Sequence, residues 1–322
     1  MKIVVLEASR IGKDISFSCL KDFGEVAIYD DTANASLASE RIRDADIIIV
    51  DQLRCDEDSL LGAEKLKLIT MTSTGTDFVD FDYTRKHGIQ VANIRGYSTD
   101  SVAQHTFGLL FYLYEKSFNY DTYVKNEGYV NDFANTSFSI VFHELAGKTW
   151  GIAGLGSIGR RVAEIASAFG CKILYYSPSG KSYDTSYRQA DFETLLKESD
   201  IISVHTPLTK STRNLFNYEA FCRMKKSSYF INVARGGLVD EEGLARALEE
   251  NRIAGAGLDV LTKEPMSPDC PFRTIKDSSR LFITPHIGWA GMEARQRAVD
   301  EIYKNIEAFL RGEERNICIK NL

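Results

Sequence analysis

"KTWGIAGLGSIGRRVAEIASAFG", residues 148–170, decides how the rest of the chain is read. It starts as a strand-like apolar run, passes through Gly154, Gly156 and Gly159, and continues with apolar residues at helical spacing. Glycines at this spacing are a weak signal alone, but between a strand and a helix they form a dinucleotide-binding fingerprint. Each answers its own demand: Gly154 permits the tight turn, Gly156 lets backbone approach a pyrophosphate, and Gly159 lets helix pack on strand. Leu155, Ser157 and Ile158 complete the loop, whose amides at the helix N-terminus would face the phosphates. The competing readings are a structural turn without a ligand and a site for a methyl-donor nucleotide.

Outward from this stretch, short runs rich in β-branched residues recur. Before it come "KIVVL" (2–6), "VAIYD" (26–30), "DIIIVD" (46–51), "LKLITMT" (66–72) and "IQVANI" (89–94). After it come "CKILYYS" (171–177), "DIISVHTP" (200–207), "SYFINVAR" (228–235), "AGAGLDVL" (254–261) and "LFITPHIG" (281–288). Helix-compatible segments separate them, so the pattern is α/β: two Rossmann-like, doubly wound parallel sheets, one of which carries the fingerprint. Residues 98–126 read as one long helix able to connect two domains, and residues 291–311 as a closing helix. The aromatic-rich stretch from Ser117 to Phe142 lacks clean periodicity; either a second copy of the chain or local packing would account for it.

With 322 residues, two domains are expected, each able to bury a core. A net charge of −6 argues against a nucleic-acid partner. The six cysteines are scattered without a Cys-x-x-Cys pair, which points to reduced, mostly buried thiols and to neither a metal site nor a disulfide framework. The five-residue apolar core before Glu7 is too short for a signal peptide, and no apolar run approaches the roughly 20 residues of a membrane span. A cytoplasmic protein with no membrane association is the expectation.

Three fragments fall near the carboxyl ends of later strands, where open parallel sheets place ligands. "INVARGGLVD", "GLDVLTKEP" and "ITPHIGWA" supply Arg235, Glu264 and His286. Singly, each has a plain structural explanation: a surface ion pair, a helix cap, a core histidine. Together they suit reduction of a 2-oxo acid. A guanidinium forks onto the carboxylate, a histidine protonates the oxygen as hydride arrives, and a glutamate fixes the imidazole tautomer.

With "STGTDFVD", "NIRGYSTDSVAQHT", "GIAGLGSIG", "HTPLTKSTRNLF", "INVARGGLVDEEGLARAL", "GLDVLTKEP" and "TPHIGW" in this order, the chain resembles the D-isomer-specific 2-hydroxyacid dehydrogenases over nearly its whole length. "NIRGYSTDSVAQHTFGLL" is most similar to glycerate dehydrogenases, or hydroxypyruvate reductases. The resemblance implies a substrate domain at 1–98 plus 290–322, a cofactor domain at 99–289, and an active site in the cleft between them, closed by hinge motion. It implies that Arg235 orients the substrate, that His286 is the acid-base residue and that Glu264 supports it. The amides of Ser73, Thr74 and Gly75 would bind the carboxylate. Asp259 would meet the nicotinamide carboxamide, and Thr206, Pro207, Val233 and Ala234 would line the cofactor site. His205 is expected to be structural or a cofactor neighbour, and His87, His105 and His143 to be structural. No metal is expected.

Hydride transfer between NAD(P)H and a small 2-oxo acid, hydroxypyruvate or glyoxylate, is the expected activity, in a homodimer that meets through residues 117–142. D-lactate, branched 2-hydroxyacids and phosphoglycerate are alternative substrates. A nucleotide-sensing corepressor is an alternative from another class; formate dehydrogenase is disfavoured because Glu264 is retained. The cofactor preference rests on "ILYYSPSGK" (173–181), where Ser177 stands in the position at which NAD-preferring members carry aspartate. No carboxylate is there to repel a 2′-phosphate, and Ser177, Ser179 and Lys181 could donate to one. Yet no arginine follows immediately, and serine also suits an unphosphorylated ribose, so the expectation is relaxed specificity, leaning to NADPH.

Overall fold

A computed structural model describes residues 1–180, 185–277 and 279–318. The chain divides into two units, Met1–Ser98 with Ala290–Leu322, and Thr99–Trp289. Among the described residues of the first unit, β1 (Lys2–Val5), β2 (Glu25–Ile28), β3 (Ile47–Val50), β4 (Leu68–Met71) and β5 (Gln90–Ala92) form a parallel sheet in the order β2-β1-β3-β4-β5. The central strands β3 and β4 are buried at every position, which is why β3 reads as a continuous apolar run and β4 as one interrupted only by the β-branched Thr70. Helices α1 (Ala35–Ile42) and α2 (Phe81–Lys86) start where Asn34 and Asp80 accept hydrogen bonds from first-turn amides.

The second unit opens with α3 (Thr99–Tyr114) and α4 (Ser117–Lys125), not with one helix over 98–126. The break is at Lys116, which takes a left-handed φ of 57°. Its Nζ donates to Ser279 O at 3.2 Å and lies 5.5 Å from the Tyr229 ring centre. There follow β6 (Thr149–Ala153), α5 (Ser157–Ala168), β7 (Lys172–Tyr176), β8 (Arg188–Gln189), α6 (Phe192–Glu198), β9 (Ile201–Val204), α7 (Tyr218–Arg223), β10 (Tyr229–Asn232), α8 (Glu241–Glu249), β11 (Gly255–Leu258) and β12 (Leu281–Ile283). The sheet is parallel, ordered β12-β11-β10-β9-β6-β7-β8. The two-residue β8, exposed at both positions, left no pattern in the sequence. After β6 the chain winds first toward β7 and later returns to β9 on the other side, so the glycine turn lies at the switch point of the sheet. The closing helix α9 (Met292–Leu310) belongs to the first unit, where Asn305 Nδ2 donates to Asn93 O at 2.8 Å.

Packing of the aromatic stretch differs from that of a core. Phe133 is 101% and Phe138 83% exposed, and Val130, Val141 and Phe142 are also open, so the chain itself does not cover them. Of the six cysteines, which are free thiols, Cys55 and Cys171 are buried and Cys222 is exposed, fewer buried than their spacing suggested. No helix among the described residues is long and apolar enough to cross a membrane.

At the start of α5, a Cβ on Gly159 would run into the Gly154 carbonyl oxygen, with the Gly154 carbonyl carbon and the Ile152 side chain each at 3.2 Å. Gly159→Ala is therefore expected to destabilise the second unit by about 1–3 kcal/mol, read as a lower urea midpoint with unchanged slope. An unchanged midpoint would contradict this packing.

Candidate active site

Because β10, β11 and β12 are adjacent and parallel, the loops after them emerge at one end of the sheet. Those loops carry Arg235, Glu264 and His286. The structure brings two of the three into contact: His286 Nδ1 lies 2.7 Å from Glu264 Oε2. An ionised carboxylate only accepts, so Nδ1 carries the hydrogen and Nε2 is the nitrogen left for other chemistry. The other glutamate oxygen, Oε1, accepts from Leu261 N at 2.8 Å, which orients the carboxylate from its own loop. Burial opposes ionisation of Glu264, but the hydrogen bonds from His286 and the Leu261 amide outweigh it and hold the carboxyl below its usual range.

His286 has a left-handed φ of 55°, rare outside glycine and a conformation that its surroundings must impose. Asp259, directly after β11, supplies the constraint. Its carbonyl accepts from His286 N at 2.8 Å, while its carboxylate accepts from Thr284 Oγ1 at 2.6 Å, Ile287 N at 2.8 Å and Gly288 N at 2.8 Å. His105 Nε2, from α3, stands 3.2 Å from the same carboxylate. Asp259 is 2% exposed; burial disfavours its charge, yet these donors, His105 foremost, keep the carboxyl below its ordinary value. From sequence, Thr284 has no reading and His105 only a structural one, since nothing local marks either.

Arg235 is exposed, with Nη1 donating to Ala234 O at 2.8 Å. Asn232 shapes its loop from both sides: Oδ1 accepts from Ala234 N at 3.0 Å and Nδ2 donates to Arg235 O at 2.9 Å. Sequence reading missed Asn232 too, although Val233 and Ala234 beside it were expected to line the cofactor site.

The glycine turn fits a dinucleotide. Gly154 has φ +97°, and a Cβ there would come within 2.8 Å of Thr206 N, whereas a Cβ on Gly156 would meet nothing within 4 Å. Gly156 is the N-cap of α5 and no side chain caps the helix, so the turn leaves open space before the first-turn amides, as a pyrophosphate requires. Leu155 is buried, while Ser157 is exposed and Ile158 half-buried. Gly154 N donates to Tyr176 O at 2.9 Å, which ties this turn to the residue before Ser177. Ser177 then begins a turn closed by Gly180 N to Ser177 O at 3.0 Å; Lys181 lies outside the described residues. Thr206 is buried after β9, and Pro207 O accepts from Thr212 Oγ1 at 2.8 Å. Burial pushes neighbouring His205 down to about 3, so its ring is neutral. In the first unit Ser73 Oγ donates to Gly75 O at 3.0 Å, Thr74 Oγ1 donates to Ile94 O at 2.8 Å, and Asn93 Nδ2 donates to Thr74 O at 2.7 Å.

Residues 107–288 match the family model described as "D-isomer specific 2-hydroxyacid dehydrogenase, NAD binding domain". The chain belongs to this family. It is 36% identical to a glycerate dehydrogenase of Methylorubrum extorquens, with 98% of each chain covered. A hydroxypyruvate reductase of Blautia hydrogenotrophica is 33% identical, covering 99% of this chain and 100% of that one. The D-lactate dehydrogenase of Lactobacillus jensenii, solved with NAD+, superposes with a TM-score of 0.83 at 31% identity and full coverage of both chains. As a member of this family the chain is a nicotinamide-dependent oxidoreductase of 2-hydroxyacids.

A carboxyl held below its ordinary range stabilises the folded chain above that range, and the contribution is lost as pH falls through the lowered value. Asp259→Asn should therefore cost about 1–3 kcal/mol at neutral pH. Urea midpoints of wild type and variant are expected to converge as pH falls below about 4. A gap that stays constant with pH would mean that the charge of Asp259 is not what holds the loop.

Proposed function

We propose that this dehydrogenase reduces a small 2-oxo acid, hydroxypyruvate or glyoxylate, to D-glycerate or glycolate. The observation that carries the reading is the His286–Glu264 hydrogen bond beside the loop of Arg235, which leaves one imidazole nitrogen for a proton. The Arg235 guanidinium forks onto the substrate carboxylate and orients its carbonyl. The amides of Ser73, Thr74 and Gly75, in the first unit, are our candidates for binding a carboxylate. The nicotinamide, when bound, supplies the hydride. His286 Nε2 gives its proton to the carbonyl oxygen as charge develops there, and Glu264 stabilises the imidazolium before and keeps the tautomer after. In the oxidative direction His286 takes the proton back from the hydroxyl.

The unit Thr99–Trp289 holds the cofactor. The turn Gly154–Gly159 takes the pyrophosphate, Thr206, Pro207, Val233 and Ala234 line the site, and Asp259 meets the carboxamide. Ser177 in place of a carboxylate supports use of both cofactors with a lean to NADPH. The exposed side chains of Val130, Phe133, Phe138, Val141 and Phe142 support a homodimer joined through this segment, since a monomer in water rarely leaves such a patch open. We place the protein in the cytoplasm.

Initial rates of hydroxypyruvate and glyoxylate reduction with NADH and NADPH test the reading: D-glycerate should form from hydroxypyruvate with either cofactor, and no turnover of any 2-oxo acid would overturn it. Arg235→Ala should lower kcat/KM by about a hundredfold, mostly through KM. Ser177→Asp should move the preference at least tenfold toward NADH, which corresponds to about 1.4 kcal/mol. Phe133→Ser with Phe138→Ser should sediment as a monomer where the wild type sediments as a dimer.

A further inference from the structure

His105 has no part in the scheme above, yet the loop that carries His286 is fastened to it. Three observations meet there. His105 Nε2 lies 2.9 Å from Thr284 Oγ1 and 3.2 Å from Asp259 Oδ1. Ser101, one helical turn earlier on the same face of α3, donates its hydroxyl to Gly288 O at 2.7 Å. Gly288 itself fits tightly between these groups: a Cβ on it would come 2.9 Å from Asp259 Oδ2 and 3.3 Å from His105 Cδ2. The loop is thus held at its first residue, Thr284, and at Gly288, with His286 between them.

The protons can be assigned. Asp259, ionised, only accepts, so the 2.6 Å contact with Thr284 uses the hydroxyl hydrogen of Thr284. Thr284 Oγ1 then has only lone pairs to offer His105. The ring must therefore carry a hydrogen on Nε2, which it shares between Thr284 and Asp259.

From this arrangement we infer that His105 is a positioning residue for the reaction: its Nε2–H fixes Thr284 and the Asp259 carboxylate, and through them the left-handed backbone that aims His286. The inference rests on the proposed role of His286 as the proton donor. His286 is held by the hydrogen bond its own N–H donates to the Asp259 carbonyl and by the two following N–H groups that donate to the Asp259 carboxylate, so rotation of that carboxylate displaces the imidazole. A displacement on the order of 1 Å is enough to cost about a hundredfold in rate. The charged and titratable groups that face His105 in this network are Asp259, directly after β11, and His286 beyond it on the β12 loop; the contacts from α3 and Thr284 are neutral.

Two substitutions separate positioning from simple packing. His105→Leu keeps bulk and removes the donor, whereas His105→Gln keeps an N–H near the position of Nε2. In His105→Leu, kcat for hydroxypyruvate should fall about tenfold to a hundredfold, with KM for NADH changed less than threefold. The primary isotope effect with 4-deuterated NADH should rise, because the reacting geometry becomes limiting. Amide exchange at Ile287 and Gly288 should accelerate at the same time. His105→Gln should restore most of the rate, the wild-type isotope effect and the slow exchange. A fold defect would lower the active fraction without changing the isotope effect. The inference is overturned if His105→Leu keeps wild-type exchange at Ile287 and Gly288, or if both variants lose rate equally with an unchanged isotope effect. Exchange does not depend on turnover. A wild type inactive toward every 2-oxo acid therefore overturns the proposed function, while slow exchange in His105→Leu overturns only the role of His105.

Discussion

A buried carboxylate is the constraint on which the second unit's chemistry depends. Asp259 directly follows β11 and gathers donors from α3 and from the loop after β12, and its negative charge is sustained at 2% exposure only because those donors converge. The histidine between them consequently adopts a backbone conformation that, without such fastening, a non-glycine residue would leave. The strained backbone and the buried charge are therefore one feature. Removing the charge removes the reason for the strain.

The second constraint is topological. A parallel sheet delivers the carboxyl ends of its strands to one edge, and the reversal of strand order at β6 opens a place for a ligand beside the glycine turn. Arg235, Glu264 and His286 come from segments about thirty and twenty residues apart in the chain, yet consecutive neighbouring strands bring their loops together. Glu264 acts on a partner 22 residues away, and His105 on one 179 residues away.

That difference in separation explains what could be read from the sequence. Strands buried on both faces, such as β3, β4 and β9, print their burial as runs rich in β-branched and apolar residues, and the fingerprint after β6 prints a backbone requirement that few residues other than glycine meet. The end of α3 was not legible, because a lysine takes a left-handed φ only when tertiary partners reward it, here Ser279 O and the Tyr229 ring. His105, Thr284 and Asn232 were not legible for the same reason. Each makes ordinary local sequence and acquires its role from groups that the fold brings to it. The exposure of Phe133, Phe138 and Phe142 was equally hidden, since composition reports apolar side chains and not what covers them.

In the proposed reaction His286, held by Asp259 and Glu264, delivers the proton. Single-turnover reduction of hydroxypyruvate by pre-bound NADH, followed by loss of nicotinamide absorbance in wild type and His286→Ala, tests it most directly. The variant should bind NADH with wild-type affinity, and its hydride-transfer step should be slower by about a hundredfold or more. A variant that binds NADH and reduces hydroxypyruvate at the wild-type rate would contradict it.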